Sequence, residues 1–196
     1  MSRQARVTRQ TEETAVEILI ELDGNGDAKV DTGLGFFDHM LRLLAKHSLI
    51  DLTVAARGDL QVDGHHLVED VGIALGRALR EALGDGRGLT RYGWALVPMD
   101  EALAQAAVDL GGRAYLSYQV DLGPGRCGEF EPELALEFMR ALANNAGLNL
   151  HLRLLSGGNT HHCLEACFKA VARALRAALA LDPRQAGIPS TKGVLG

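Results

Sequence analysis

The feature that most constrains this chain is an internal duplication. The stretch HHLVEDVGIALGRALREAL (65–83) lies without a gap over HHCLEACFKAVARALRAAL (161–179), a separation of 96 residues in a chain of 196. A second pair, HMLRLLAKHSLIDLTV (39–54) over EFMRALANNAGLNLHL (137–152), recurs at 98, and a third, EETAVEILIELDG (12–24) over DEALAQAAVDLGG (100–112), at 88. Two copies of one pattern must fold as two copies of one unit. The first pair reads as amphipathic helices, with Val68, Val71, Leu75, Leu79 and Leu164, Phe168, Val171, Leu175 at three- and four-residue spacing. The second reads as helix, turn, strand, and the third as short alternating strands ending in Gly-containing turns. Each half is therefore strands, helix, strand, helix. The expected fold is α+β: duplicated half-domains, each a small mixed or antiparallel sheet with helices on one face, packed back to back as a sandwich. GDGRGLTRYG (84–93) is the natural junction, giving half-domains 1–88 and 89–186, and GIPSTKGVLG (187–196), which has no counterpart in the first half, reads as a C-terminal arm.

Hydrophobic residues make up 47% of the chain, enough for a substantial core without covalent staples. The net charge is −5 and Lys and Arg are scattered, so no nucleic-acid footprint or polybasic membrane anchor is indicated, while a small anionic substrate stays possible. Three cysteines, Cys127, Cys163 and Cys167, are odd in number and lack zinc-ribbon spacing, which fits reduced thiols in a cytoplasm. No apolar run approaches the ~20 residues that span a bilayer. The expectation is a soluble cytoplasmic protein.

The duplicated His-His-x-x-Glu motif carries the chemistry. On a helix, Glu69 can share a face with His65 or His66, and Glu165 with His161 or His162. Adjacent histidines point about 100° apart on a helix, so each pair should serve two ions. One histidine and its glutamate would hold one ion, and the other histidine would reach outward to a second ion held by another half or another subunit. Imidazole and carboxylate without thiolate suit Mn, Fe, Ni or Zn in near-octahedral geometry rather than a structural zinc site. A single such motif is weak, since surface His near Glu is common; its recurrence, with five of the seven histidines (His39, His65, His66, His161 and His162) at or beside the repeated motifs, makes the metal reading the stronger one. Cys163 and Cys167, four apart among apolar neighbours, read as core filler, and His151 as a strand residue without a ligand role.

In order along the chain, GFFDHML, GDLQVDGHHLVEDVGIALG, PMDEAL, DLGGRAYL, HHCLEACFKAVARAL and IPSTKGVL resemble the imidazoleglycerol-phosphate dehydratase family. The resemblance implies a lyase of histidine biosynthesis, assembled as a twenty-four-subunit shell, with active sites between subunits and two Mn2+ ions in each. It places metal ligands on His39, His65, His66, Glu69, His161, His162 and Glu165. Substrate contacts fall on Glu13, His39, His47, His65, His66, Glu69, Arg91, Arg113, Ser190, Thr191 and Lys192. Catalysis would rest on Glu13 with His39, His65, Glu69, His161 and Glu165. Each of Arg91, Arg113 and Lys192 alone would pass as a solvated charge, but a phosphate wants planar guanidinium and point-charge ammonium, which GGRAY and STK supply.

The reaction so implied removes a hydroxyl from the carbon beside an imidazole and a hydrogen from the next carbon, which no carbonyl activates. Coordination of both ring nitrogens would give an imidazolate able to expel hydroxide, leaving a diazafulvene whose neighbouring C–H is acidified. A carboxylate, assigned to Glu13, takes that proton, and the enol tautomerises to the ketone. Where the family carries a metal-binding histidine this chain has Glu137, which the internal repeat pairs with His39; a hard divalent ion accepts that carboxylate, so Glu137 is expected to ligate. The main alternative of another class is a metal-storage or metal-stabilised assembly protein, which would have no need of the phosphate-binding cations.

Overall fold

A computed structural model describes residues 3–123 and 125–195; Met1, Ser2, Pro124 and Gly196 lie outside them. The first half runs β1 (Gln4–Gln10), β2 (Thr14–Glu21), β3 (Ala28–Asp31), α1 (Gly35–Ser48), β4 (Asp51–Gly58) and α2 (His65–Leu83). The second repeats the order: β5 (Tyr92–Met99), β6 (Ala102–Asp109), β7 (Tyr115–Gln119), α3 (Leu134–Ala146), β8 (Asn149–Ser156) and α4 (Thr160–Leu179). Each half is one four-stranded mixed sheet, ordered β1-β2-β4-β3 and β5-β6-β8-β7. The hairpin pairs are antiparallel, and the pairs β3–β4 and β7–β8, which flank a crossover helix, are parallel. The duplicated α+β architecture is thus as the repeats predict, and both sheets are mixed.

Strict alternation makes the strands one-sided. In β2, Val16, Ile18 and Ile20 are buried while Ala15 and Leu19 face outward. All eight apolar positions expected to form the inner stripes of α2 and α4 are buried. The helices of each half cover the inner face of their own sheet and meet the helices of the other half, α1 against α4 and α2 against α3, so helices fill the centre between the sheets. Gly72 and Gly76 set the closeness of the second contact: a Cβ on Gly76 would lie 2.8 Å from the Leu142 carbonyl oxygen and 2.9 Å from the Ala146 nitrogen. Any larger residue would push α2 off α3. The outer face of the second sheet leaves Tyr92, Trp94, Leu96 and Tyr115 exposed, Trp94 by 75%. Among the described residues no helix is long and apolar enough to cross a membrane.

The tail follows α4 back to the junction between halves. The Gly88 N–H donates to the Gly187 carbonyl (3.0 Å), the Asp182 N–H to the Gly88 carbonyl (2.9 Å), and Leu89 bridges to Leu181. Ser190–Gly193 closes in a turn, the Gly193 N–H donating to the Ser190 carbonyl (3.1 Å).

Candidate active site

Two short-range devices fix where the candidate ligands begin. Asp38, in the first turn of α1, accepts from the Thr32 N–H (2.9 Å) and hydroxyl (2.6 Å), which anchors the helix start one residue before His39. At α4 the Asn159 side chain caps the helix, accepting from the N–H groups of His161 (2.9 Å) and His162 (3.3 Å). The α1–α4 contact then brings His39 of the first half to the motif of the second. His39 Nε2 lies 2.7 Å from Glu165 Oε1, and His161 Nε2 lies 3.1 Å from the same oxygen. These three residues form the one group among the described residues whose ligand atoms all fall within 4.8 Å of one another. Two imidazoles and a carboxylate, with no thiolate, fit a divalent transition-metal ion.

The carboxylate of this group is 9% exposed. Burial pushes its pKa up, but hydrogen bonds from Lys169, His39 and His161 outweigh burial and hold it at about 2. Lys169 was not singled out in the sequence, although its position four residues after Glu165 on the same helix face is legible there. His47, two turns along α1 from His39, lies near Lys169 and Arg173; burial, and then those cations, lower its pKa, which favours the neutral imidazole. An open recess of about 640 Å³ beside the group is lined by Phe36, His39, Arg126, Cys127, Asn159 and His161.

The paired histidines diverge as helix geometry requires. Ring planes of His161 and His162 cross at 88° with centroids 6.2 Å apart, and those of His65 and His66 also at 88°, 6.1 Å apart. Glu165 pairs with His161, so of the two partners its spacing allowed, the structure takes the one a full turn away. His162 instead reaches Glu101, its Nδ1 2.9 Å from Oε2, and His66 Nδ1 lies 3.1 Å from Asp59 Oδ2 and 3.8 Å from Glu13. The hydrogen bond from His162, followed by that from the Asn159 N–H, holds the Glu101 carboxyl down at about 2. Neither Asp59 nor Glu101 was picked out from the sequence; the pairing of Glu101 with Glu13 in the third repeat was the available signal. In the first half, the internal repeat sets His65, Glu69 and Glu137 in the places of His161, Glu165 and His39. Here Glu137 accepts from Arg140 one turn along α3. Those three do not converge as the second-half group does.

The expected anion-binding residues do gather. A recess of about 670 Å³ is lined by Arg91, Arg113, Ser190, Thr191 and Lys192 together with Tyr92 and Gly111. Arg91 is largely committed: its Nε and Nη2 donate to Asp109 (2.7 and 3.2 Å) and its Nη1 to the Pro189 carbonyl (2.8 Å), which docks the tail. Arg113 and Lys192 are exposed. This recess shares no lining residue with the one beside His39 and His161.

Comparison with known proteins bears on the family and the fold. A family model described as imidazoleglycerol-phosphate dehydratase matches residues 32–175. A relative of that name from Moorella thermoacetica is 56% identical over 195 residues, covering 100% of both chains, and one from Azorhizobium caulinodans is 56% identical over 99% of both. Crystal structures superpose with a TM-score of 0.83: the Staphylococcus aureus enzyme at 41% identity, covering 91% of this chain and 99% of its own, and the Pyrococcus furiosus enzyme at 38%, covering 96% and 100%. With the duplicated fold, the His-Glu group and full-length similarity in agreement, the chain belongs to the imidazoleglycerol-phosphate dehydratase family of hydro-lyases.

Proposed function

We propose that this protein dehydrates imidazole glycerol phosphate to imidazole acetol phosphate in histidine biosynthesis, in the cytoplasm, with two Mn2+ ions per active site. The observation that carries the reading is the convergence of His39, His161 and Glu165 from opposite halves of the duplication. These three would hold one ion. By the internal repeat, Glu137, His65 and Glu69 would hold the other once Glu137 exchanges Arg140 for metal, while His66 and His162 extend outward to ions on neighbouring subunits. When bound, the ions would supply Lewis-acid activation of the substrate imidazole, favouring loss of the adjacent hydroxide as the diazafulvene route requires.

The chain's own residues do the rest. Glu13, half exposed at the tip of the β1–β2 turn, is the free carboxylate that takes the proton from the neighbouring carbon. His47, near Lys169 and Glu165, has its pKa lowered by burial, which favours the neutral ring able to donate or accept at a substrate hydroxyl. Arg113, Lys192, Ser190 and Thr191, with the remaining N–H groups of Arg91, bind the phosphate. Because the phosphate recess and the His-Glu group lie in separate recesses of one chain, a complete site draws on more than one subunit. A homo-oligomer, the twenty-four-subunit shell of the resemblance, supplies them, and the exposed Tyr92, Trp94, Leu96 and Tyr115 provide contact surface. Half-domains 1–88 and 89–186 with the arm 187–196 remain our division of the chain, and the three free, buried cysteines accord with a reducing compartment. The test is turnover of imidazole glycerol phosphate by chelator-stripped protein with and without added Mn2+, following ketone formation. Restoration by Mn2+ is expected. Full turnover without metal, or no ketone with it, overturns the reading. Dialysis of Glu137→Ala against Mn2+ tests that ligand separately; an unchanged ion count rules it out.

A further inference from the structure

In both halves the second histidine of the pair turns away from its own helix's glutamate and ends on a different carboxylate. His162 does so at Glu101 and His66 at Asp59, each through Nδ1. An ionised carboxylate only accepts, so Nδ1 carries the hydrogen and, in the neutral ring, Nε2 keeps its lone pair. The Glu101 side chain is itself built into place. Its other oxygen, Oε1, accepts from the N–H groups of Asn159 (2.8 Å) and Gly158 (3.3 Å) in the loop that enters α4. Asp100 and Glu101 form the two-residue turn joining β5 to β6, and Asp100 takes φ 48, a left-handed conformation that favours glycine. The Asp100 carboxylate also faces the ring, 3.8 Å from His162 Nε2.

The duplication shows what has diverged. Glu101 stands in the repeat over Glu13, and His162 over His66. In the second half the glutamate holds the histidine. In the first half Glu13 stands off at 3.8 Å and Asp59 has taken the near position. One of two equivalent glutamates is committed to a ring, and the other is left unattached, as a proton-accepting group must be.

We infer that Glu101 and Asp59 are positioning residues for metal binding: each fixes the second histidine of its motif as the Nδ1–H tautomer, so that a single atom, Nε2, is presented to an ion not held by that histidine's own glutamate. The inference rests on the metal-dependent reading above. Such outer partners raise ligand basicity and remove the cost of choosing a tautomer and ring angle, and their loss typically weakens metal binding by about 10–100-fold.

The experiment counts Mn2+ bound to the full-length protein, using the electron paramagnetic resonance signal of free Mn2+ during titration. Glu101→Gln keeps an acceptor for the α4 loop but removes the carboxylate from His162, and should weaken one class of bound ion by about 10–100-fold. Asp59→Asn, in the other half, should weaken binding comparably and guards against a folding defect in the first variant. In a His162→Asn background, Glu101→Gln should cause no further loss, because its effect passes through that ring. Unchanged affinity in both single variants overturns the proposal. So does an equal further loss in the His162→Asn background, which would mean that Glu101 acts through the α4 loop alone. A wild-type chain that binds no Mn2+ overturns the metal-dependent reading itself, and shows this before any variant is made.

Discussion

Replacing Asp70 should damage both stability and catalysis, because this buried carboxylate ties the hairpin that carries Glu13 to the helix that carries His65, His66 and Glu69. Asp70 lies on α2 with its side chain 7% exposed; Arg9 Nε donates to it at 2.8 Å and the Thr14 hydroxyl donates to its other oxygen. Thr11 Oγ1 then accepts from the N–H groups of Glu13 (3.1 Å) and Thr14 (2.9 Å), which sets the turn between β1 and β2. Asp70→Ala takes the carboxylate from both donors and leaves the Thr14 hydroxyl only the longer contact to the Thr11 hydroxyl, at 3.2 Å. The buried Thr14 hydroxyl, 4% exposed, should cost about 1–3 kcal/mol. The hydrogen bond from charged Arg9 adds less than its usual ~1.5–3 kcal/mol, because water reaches the 26% of that side chain that is exposed. A total of about 3 kcal/mol lowers Tm by about 6–12 °C for a chain of this length. Calorimetry on metal-free wild type and variant, at equal protein concentration, measures it. A Tm loss below ~2 °C would refute the reasoning, as would full additivity of Asp70→Ala with Thr14→Val, since groups in direct contact should couple by about 0.5–3 kcal/mol. The variant should also lose kcat through Glu13 while retaining metal.

Further outcomes rest on the same geometry. Arg113→Ala should raise KM strongly with kcat little changed, since phosphate binding is common to ground and transition states, whereas Glu13→Gln should depress kcat with metal content intact; normal turnover by Glu13→Gln would remove it as the base. Gly93→Ala places a Cβ 1.9 Å from the Ala174 carbonyl oxygen and 2.7 Å from the Ala178 nitrogen, so β5 must part from α4 at a cost of about 3 kcal/mol or more, while Gly187→Ala, which meets nothing within 4 Å, should be near neutral; equal melting temperatures for the two would contradict the packing. Chelation should shrink the particle seen by light scattering if ligands are shared between subunits, and an unchanged size after complete metal removal would count against that sharing.

What the sequence determined by itself is what contiguous residues encode. The spacing of Val68, Val71, Leu75 and Leu79 fixes a helix face, alternation in β2 fixes a strand face, and the four-residue step from His161 to Glu165 fixes a shared side of α4, because backbone periodicity alone sets these directions. The expected phosphate contacts were legible for another reason: Arg113 and the Ser190–Lys192 segment, ordinary solvated charges by residue type, stand in stretches that resemble a known family. Tertiary structure decided the rest. That His39 meets Glu165 depends on α1 packing on α4, which joins residues 126 positions apart and follows from how the two halves dock. That Asp59 rather than Glu13 holds His66 depends on where the loop after β4 runs. In the second-half motif Glu165 accepts from both His39 and His161, while Glu137, in the place of His39 by the repeat, pairs with Arg140, and no matching group forms among the described residues. A repeat specifies equivalent positions, but only the packed neighbours specify which carboxylate each position meets.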